Sequence, residues 1–382
     1  MHKRTCKLLA AVFLFALLFS NANGVYAQCS KSVELPDAPP VAGEIRFAVI
    51  GDTGRGCGRN GTKSKQCLIA AKLLDIQKRT DFKMLIFLGD NVYDKGHPND
   101  FEDNLYTPYK DLFARGVIFR GVIGNHDAQN DAGALLQLKF LTAADLPAQA
   151  VFFNQPIKEQ LKFPDTITQT YGSFTAAPGL VKFFALDSPL LTGDFKDKME
   201  KYPVGAIRER TNKSLPDEER ERLAEKQRAW LRDQLAASKK VKWRIVLMHH
   251  IFYSSSNGHG VLNPNKNADD FVHMQKLRKI IPDLNENNVQ LVLSGHDHFY
   301  EHIDPTKVNL FDPLLPTGKF AYFVNGAGAQ PDGDIFKQKN PVFSICGRDS
   351  VGSFMLFSVK PDSITFWAIS ENGEAFDSGV IK

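Results

Sequence analysis

The sequence predicts a mixed α/β (α+β) sandwich flanked by helices, and three observations lead there. Short runs rich in Val, Ile, Leu and Phe end in glycine or a polar residue. Helix-patterned segments lie between several of them, and the carboxyl-terminal section has strands with no helix between them.

The apolar runs are IRFAVIG (45–51), KMLIFLG (83–89), IFRGVIG (118–124), VKFFALD (181–187), WRIVLM (243–248) and VQLVLSG (289–295). They are apolar on successive residues, as strands covered on both faces are. KQCLIAAKLLDIQKR (65–79) and DEERERLAEKQRAWLRDQLAAS (217–238) carry apolar residues at spacings of three and four, with charged outer faces, and read as helices. FAYFVNG (320–326), GSFMLFSV (352–359) and SITFWAIS (363–370) form the strand-only closing section. Residues 188–220 are polar and charged and read as a long surface excursion. There is no fixed-period repeat and no low-complexity tract.

With 382 residues, 43% hydrophobic and 24% charged, the chain has the composition of an enzyme-sized globular protein, not of a disordered, fibrous or membrane-spanning one. The amino terminus runs MHKRTCK, LLAAVFLFALLF, SNANGVYAQ: a basic region, an apolar stretch too short to span a bilayer well, and a small-residue exit with Val25-x-Ala27. The expectation is a signal peptide over 1–27, a single domain over 28–382, export to the outside or the periplasm, and no stable membrane anchor. Cleavage removes Lys3, Arg4 and Lys7 and lowers the formal charge from +4 to +1, so nucleic acid is not required as a ligand. Cys29, Cys57, Cys67 and Cys346 remain and allow three pairings, with a short Cys57–Cys67 loop as the first reading. Asn60-Gly61-Thr62 and Asn212-Lys213-Ser214 fit the glycosylation pattern.

The polar residues at the strand ends form a set. Asp52 follows AVIG, Asp90 follows IFLG, Asn125 follows GVIG, His249 follows IVLM, and His296 and His298 follow VLSG; Tyr93 stands three residues after Asp90. In open α/β sheets, ligands sit outside the carboxyl ends of strands, so these loops can converge. Carboxylate, amide oxygen, imidazole and phenol oxygen together suit a mixed O/N site for first-row metals. Two ions held close together need a shared anion, for which Asp90 is the natural bridge. His296 and His298 would point to opposite sides of an extended segment, so either a bend or the space between two metals must reconcile them.

GDTG (51–54), GDNVY (89–93), GNHD (124–127), VLMH (246–249) and GHDH (295–298), with LDS (186–188) and NGAG (325–328), resemble the motifs of purple acid phosphatases within the metallophosphoesterases, most nearly the small, tartrate-resistant type. The resemblance implies the metallophosphoesterase β-sandwich with the metal site at the carboxyl-terminal strand ends. It also implies an exported dinuclear-metal acid phosphatase that hydrolyses small phosphate monoesters by in-line attack of a metal-bound hydroxide. Fe(III) at the first site would be held by Asp52, Tyr93, His298 and bridging Asp90; Fe(II), Zn(II) or Mn(II) at the second by Asp90, Asn125, His249 and His296. Most metallophosphoesterases place a histidine ligand where this chain has Gly54, and Tyr93 takes over that role. His126 and His259 would contact the phosphate and help the leaving oxygen. His250, His273 and His302 are assigned structural or surface roles, and His97 lies near a motif without an assigned role. The chain departs from the family at His250-Ile251, where an aromatic residue and a proline are common. A phosphodiesterase or nucleotide hydrolase with the same metal core is the alternative, and a catalytically decayed exported binding protein the third reading. The physiological substrate, the second metal and the oligomeric state are left open.

Overall fold

The structure, a computed structural model, describes residues 29–57, 64–143, 145–154, 170–193, 217–256, 259, 269–331 and 341–382. The expected signal segment 1–27, both glycosylation patterns and residues 194–216 of the expected excursion lie outside these. Thirteen strands are described: β1 (Ile45–Ile50), β2 (Met84–Leu88), β3 (Ile118–Val122), β4 (Gly172–Ala177), β5 (Val181–Ala185), β6 (Trp243–Leu247), β7 (Leu291–Ser294), β8 (Tyr300–Ile303), β9 (Ala321–Asn325), β10 (Ser344–Arg348), β11 (Ser353–Val359), β12 (Ile364–Ser370) and β13 (Ala375–Ile381).

They form two mixed sheets, a six-stranded one in the order β13-β12-β11-β1-β2-β3 and a seven-stranded one in the order β10-β8-β9-β7-β6-β5-β4. β1, β2 and β3 are parallel, as are β5, β6, β7 and β9. Each sheet therefore delivers a row of carboxyl-terminal strand ends to the same side of the molecule. The antiparallel strands lie outward of these rows, with β11 joining β1, and β8 and β4 continuing the second sheet.

The strand runs are continuously apolar because both faces are covered. Between the sheets, Phe47, Val49, Ile86, Leu88 and Phe357 of the first meet Phe183, Ile245 and Leu293 of the second. On the outer face of the first sheet, Ala48, Ile50 and Phe87 pack with Ile69, Leu73 and Ile76 of helix Gln66–Thr80. On the outer face of the second, Phe184, Val246 and Val292 pack with Ala224, Leu231 and Leu235 of helix Asp217–Ala237. The expected strands and both helices thus occur in place, to within a residue or two at their ends.

The excursion begins later than its charge pattern implies. Ser188–Thr192 is a buried helix, capped by Asp187 Oδ1, which accepts from Leu190 N at 3.1 Å. Pro189, Leu190 and Leu191 supply the apolar surface that draws it inward. Two disulfides join Cys57 to Cys67 and Cys29 to Cys346. The first matches the expected short loop; the second ties the segment before β1 to edge strand β10. No described helix is long and apolar enough to cross a membrane.

Phe47 lies between the sheets, stacked on Phe357 at 5.1 Å and edge-on to Phe183 at 5.2 Å. Phe47→Ala should cost about 3–5 kcal/mol, because a fully buried ring leaves a cavity that two sheets cannot close. Denaturant unfolding at fixed pH measures it, and a loss under about 1 kcal/mol would contradict this packing.

Candidate metal centre

The strand ends meet through tight turns that few sequences accept. Asp52, Asp90 and His296 have φ of 56°, 50° and 73°, in the left-handed region. Non-glycine residues there cost about 1–3 kcal/mol each and persist where the surroundings determine them. Asp52 N donates to Gly89 O at 3.0 Å, His126 N to Asp90 Oδ1 at 2.9 Å, and His296 N to Asp52 Oδ2 at 2.9 Å, so each bend is held by its neighbour's loop. The bend at His296 answers the spacing problem: Nδ1 of His296 lies 3.2 Å from His249 Nε2, while Nε2 of His298 lies 2.9 Å from the Tyr93 hydroxyl.

At the centre the polar atoms of three loops face one another. His249 donates from Nδ1 to Leu88 O at 2.9 Å, which turns Nε2 inward. Nε2 lies 3.0 Å from Asn125 Oδ1 and 3.5 Å from Asp90 Oδ1. Asp52, Asp90 and His249 each offer a ligand atom, all within 4.8 Å of one another, and all three residues are buried. Carboxylate oxygens, an amide oxygen and an imidazole nitrogen gathered this closely are a donor set that fits a bound metal.

Tyr93 stands on the other side of the bridge position. Its hydroxyl donates to Asp52 Oδ1 at 3.1 Å, and His298 Nε2 lies 3.5 Å from the same carboxylate oxygen. Burial, followed by the charges of Asp90 and Asp52, pushes the phenol well above its ordinary range. Only a strong local cation would make it a phenolate. Asp90, although burial raises it, is held below the usual carboxylate range by His249, His126 and the His126 N–H.

Gly54 explains why tyrosine stands here. Its N–H donates to Asp90 O at 3.1 Å and its carbonyl accepts from Tyr93 N at 2.8 Å. A Cβ at this position would sit 2.3 Å from the Asn91 carbonyl carbon and 2.4 Å from Val92 N. No side chain fits, and the backbone closeness that excludes one brings Tyr93 to the centre.

His126 and His259 reach the same place. Nδ1 of His126 donates to Asp94 O at 2.6 Å, and its Nε2 is 3.9 Å from Asp90 Oδ2. The His259 ring lies 4.4 Å from that of His296, and its Nδ1 bonds Asp297 Oδ1 at 2.8 Å. The expected ligands and both histidines are therefore brought together. His250 is buried beside them, as a structural histidine: Ser188 Oγ accepts from His249 N and His250 N at 3.1 and 3.0 Å and donates to His250 Nδ1 at 2.9 Å. His302 bonds Asp377 and stacks on Phe323, and His97 accepts from Asn99 N.

Three supporting carboxylates escaped the sequence reading. Asp127 accepts from Gly124 N, Asn91 N and Val92 N at 2.9–3.1 Å, locking the Asp90 and Asn125 loops together; burial, then Asp90, pushes it up to about 7. Asp297 holds His259 and Ser254. Glu301 holds the backbone and hydroxyl of Ser255. Asp127 and Asp297 stand inside GNHD and GHDH, which was the available signal; Glu301 had none.

Two sheets whose parallel strand ends supply carboxylates, an amide, imidazoles and a phenol around shared Asp90 have the arrangement of a dinuclear metallophosphoesterase. Residues 45–300 match the calcineurin-like phosphoesterase family, and the chain belongs to it. It is 25% identical over 268 residues to purple acid phosphatase 17 of Arabidopsis thaliana, covering 68% of this chain and 64% of that relative, so the match spans less than two thirds of the relative's length. It is 21% identical over 340 residues to tartrate-resistant acid phosphatase type 5 of Sus scrofa, covering 87% and 85%. Among solved structures, the fold is shared with GAP50, described as the anchor in the inner membrane complex of Plasmodium, at TM-score 0.60, 18% identity and 89% coverage of each chain. It is also shared with a purple acid phosphatase from yellow lupin (Lupinus luteus) seeds, at TM-score 0.56 and 15% identity, covering 91% of this chain and 55% of that one.

Glu301 gives the site a pH signature separate from the ligands. Burial, countered by bonds from Ser255, pushes its carboxyl up to about 7 from an ordinary 4.5. The folded state thus binds this proton more tightly than the unfolded one. Its contribution is full below about 4.5 and is lost as pH rises to about 7. At roughly 1.4 kcal/mol per pH unit, the loss is about 3 kcal/mol across that window. Glu301→Gln should remove it, gaining stability relative to wild type at pH 8 over pH 5. Unfolding midpoints at the two pH values check this, and an equal difference at both would contradict it.

Proposed function

We propose that the chain is an exported acid phosphatase that hydrolyses phosphate monoesters at a dinuclear centre. The observation that carries this reading is the inward-facing set of polar groups around Asp90, Asn125 and His249, with Tyr93, Asp52 and His298 on the other side. Fe(III) suits the side with Asp52, Tyr93 and His298, because phenolate and carboxylate are hard anionic donors. Fe(II), Zn(II) or Mn(II) suits the side with Asn125, His249 and His296, where the donors are neutral, and Asp90 bridges. When bound, such a pair supplies Lewis acidity toward phosphate oxygens and acidifies water enough to work at low pH.

The remaining work falls to this chain's histidines. A carbonyl oxygen only accepts, so Asp94 O fixes a proton on His126 Nδ1 and leaves Nε2 to face the site. Asp297 does the same for His259. Each ring, once it also carries a proton on Nε2, can attract the phosphate and give that proton to the departing alkoxide, ending as the neutral imidazole. The two disulfides and the amino-terminal pattern support export, since disulfides persist in oxidising compartments. GAP50, which shares the fold, is described as an anchor, so the fold alone does not choose between a catalytic and a non-catalytic reading. The gathered ligand set and both oriented histidines favour catalysis, because a binding protein has no use for them.

Two experiments test the proposal. With iron bound, the protein should be purple or pink through phenolate-to-Fe(III) charge transfer, and Tyr93→Phe should bleach it while harming activity less than Asp90→Ala does. An active, iron-loaded preparation without that band would reject the Tyr93 assignment. Separately, His126→Ala and His259→Ala should keep metal and colour and lower kcat on an alkyl phosphate by about 10²- to 10⁴-fold, the range of general acid help. The loss on an aryl phosphate should be distinctly smaller, since a nitrophenolate leaves unaided. Equal kcat losses on both substrates would assign these residues to phosphate positioning only.

A further inference from the structure

The Tyr93 ring is not bounded by protein carbon alone. The Arg55 guanidinium carbon lies 3.9 Å from its centre, in contact across the ring face. The same guanidinium pairs with the Asp94 carboxylate through Nη1. The main chain of Asp94 in turn accepts from His126, whose ring packs 4.7 Å from that of Tyr93. Arg55 is held in this position from behind. Its backbone N–H donates to Thr53 O at 2.7 Å, and two residues on, Cys57 is bonded to Cys67 in the first turn of helix Gln66–Thr80. Gly56, at φ 68°, turns the chain against Asn104, whose amide donates to Tyr93 O at 3.1 Å.

We propose that Arg55 is a positioning residue that sets the donor strength of Tyr93 toward the metal centre through its guanidinium on the ring face. This rests on the reading of Tyr93 as a ligand to a trivalent ion. A cation within about 6 Å of an aromatic face is attracted to its π electrons and lowers their energy. Those are the electrons a phenolate gives to Fe(III). With Arg55 in place, the phenolate donates less, the ion stays the stronger Lewis acid, and charge transfer from ring to metal requires more energy. Removing the guanidinium also leaves the Asp94 carboxylate without its ion pair, and that charge acts in the same direction. The two changes therefore add.

The test compares the visible spectra and iron content of the iron-loaded wild type, Arg55→Ala, Arg55→Met and Arg55→Lys, each as the full mature chain. Arg55→Ala and Arg55→Met should retain iron and move the charge-transfer maximum to longer wavelength. Arg55→Lys, which keeps the charge without the flat stacking group, should fall between them and wild type. A merely structural arginine would not grade the band by charge. An unmoved maximum in either neutral variant that retains iron overturns the proposal, and so does loss of iron from both, because Arg55 would then hold the loop without tuning the ligand. Failure of the Tyr93 reading shows elsewhere, as wild-type protein that binds iron without the band, and it removes the proposal as well.

Discussion

The meeting of His249, Asn125 and Asp90 at the carboxyl ends of β2, β3 and β6 is the constraint on which the rest of the site depends. His249 Nε2 lies 3.0 Å from Asn125 Oδ1 and 3.5 Å from Asp90 Oδ1. Polar groups packed this closely and buried have to be held there by the fold. The imposition is visible in the backbone. Gly124 has no room for a side chain because a Cβ would fall 2.1 Å from Asp90 Oδ1, and one at Gly295 would fall 2.5 Å from Asp52 Oδ2. Glycine is required there by the closeness of the ligands themselves. The left-handed Asp52, Asp90 and His296 are the same constraint expressed in φ.

A layer of buried carboxylates behind the centre converts this local strain into fixed geometry. Asp127 gathers the amides of the Asp90 and Asn125 loops, and Asp187 caps the short Ser188–Thr192 helix, whose Ser188 hydroxyl receives the amides of His249 and His250. Asp297 and Glu301 fasten the Ser254–Ser255 segment leading to His259. Each of these acids sits in a region from which water is excluded, where a bond to a charged acceptor is worth more than one between neutral groups. The supports grip backbone amides and hydroxyls from behind the centre and along its rim, so the loops that carry the facing groups are fixed from several directions.

How much of this was legible in the sequence follows from which interactions are local. Strands covered on both faces announce themselves by unbroken apolar runs, so β1, β2, β3, β5, β6 and β7 could be read, and with them the residues at their ends. β8 (YEHI) and β10 (SICGR) mix polar and apolar residues at the sheet margin and carry no such signature. Ser188–Thr192 carries no burial signature of its own because a polar and charged stretch follows it directly, although Pro189, Leu190 and Leu191 are buried. Asp127, Asp297 and Arg55 stood in or beside the quoted motifs without a readable role. Each one holds a group far away in sequence: Val92 N is 35 residues from Asp127, Ser254 is 43 from Asp297, and Asp94 is 39 from Arg55. The His296–His298 spacing looked like a conflict and was one: the left-handed turn at His296 is the fold's answer to it.

The two halves of the centre differ in charge, and this difference shapes the chemistry. Asp52 and Tyr93 can bring two anionic oxygens to one side, with His298 beside them, whereas Asn125, His249 and His296 bring only neutral donors to the other. Asp90 lies between them. Burial, followed by the charges of Asp90 and Asp52, opposes ionisation of the Tyr93 phenol, so a cation that takes it as phenolate has to overcome that opposition, which is the physical ground for proposing a trivalent ion on the Tyr93 side. Glycine at position 54 belongs to the same arrangement, because the close backbone that leaves no room for a side chain there brings the phenol to the centre.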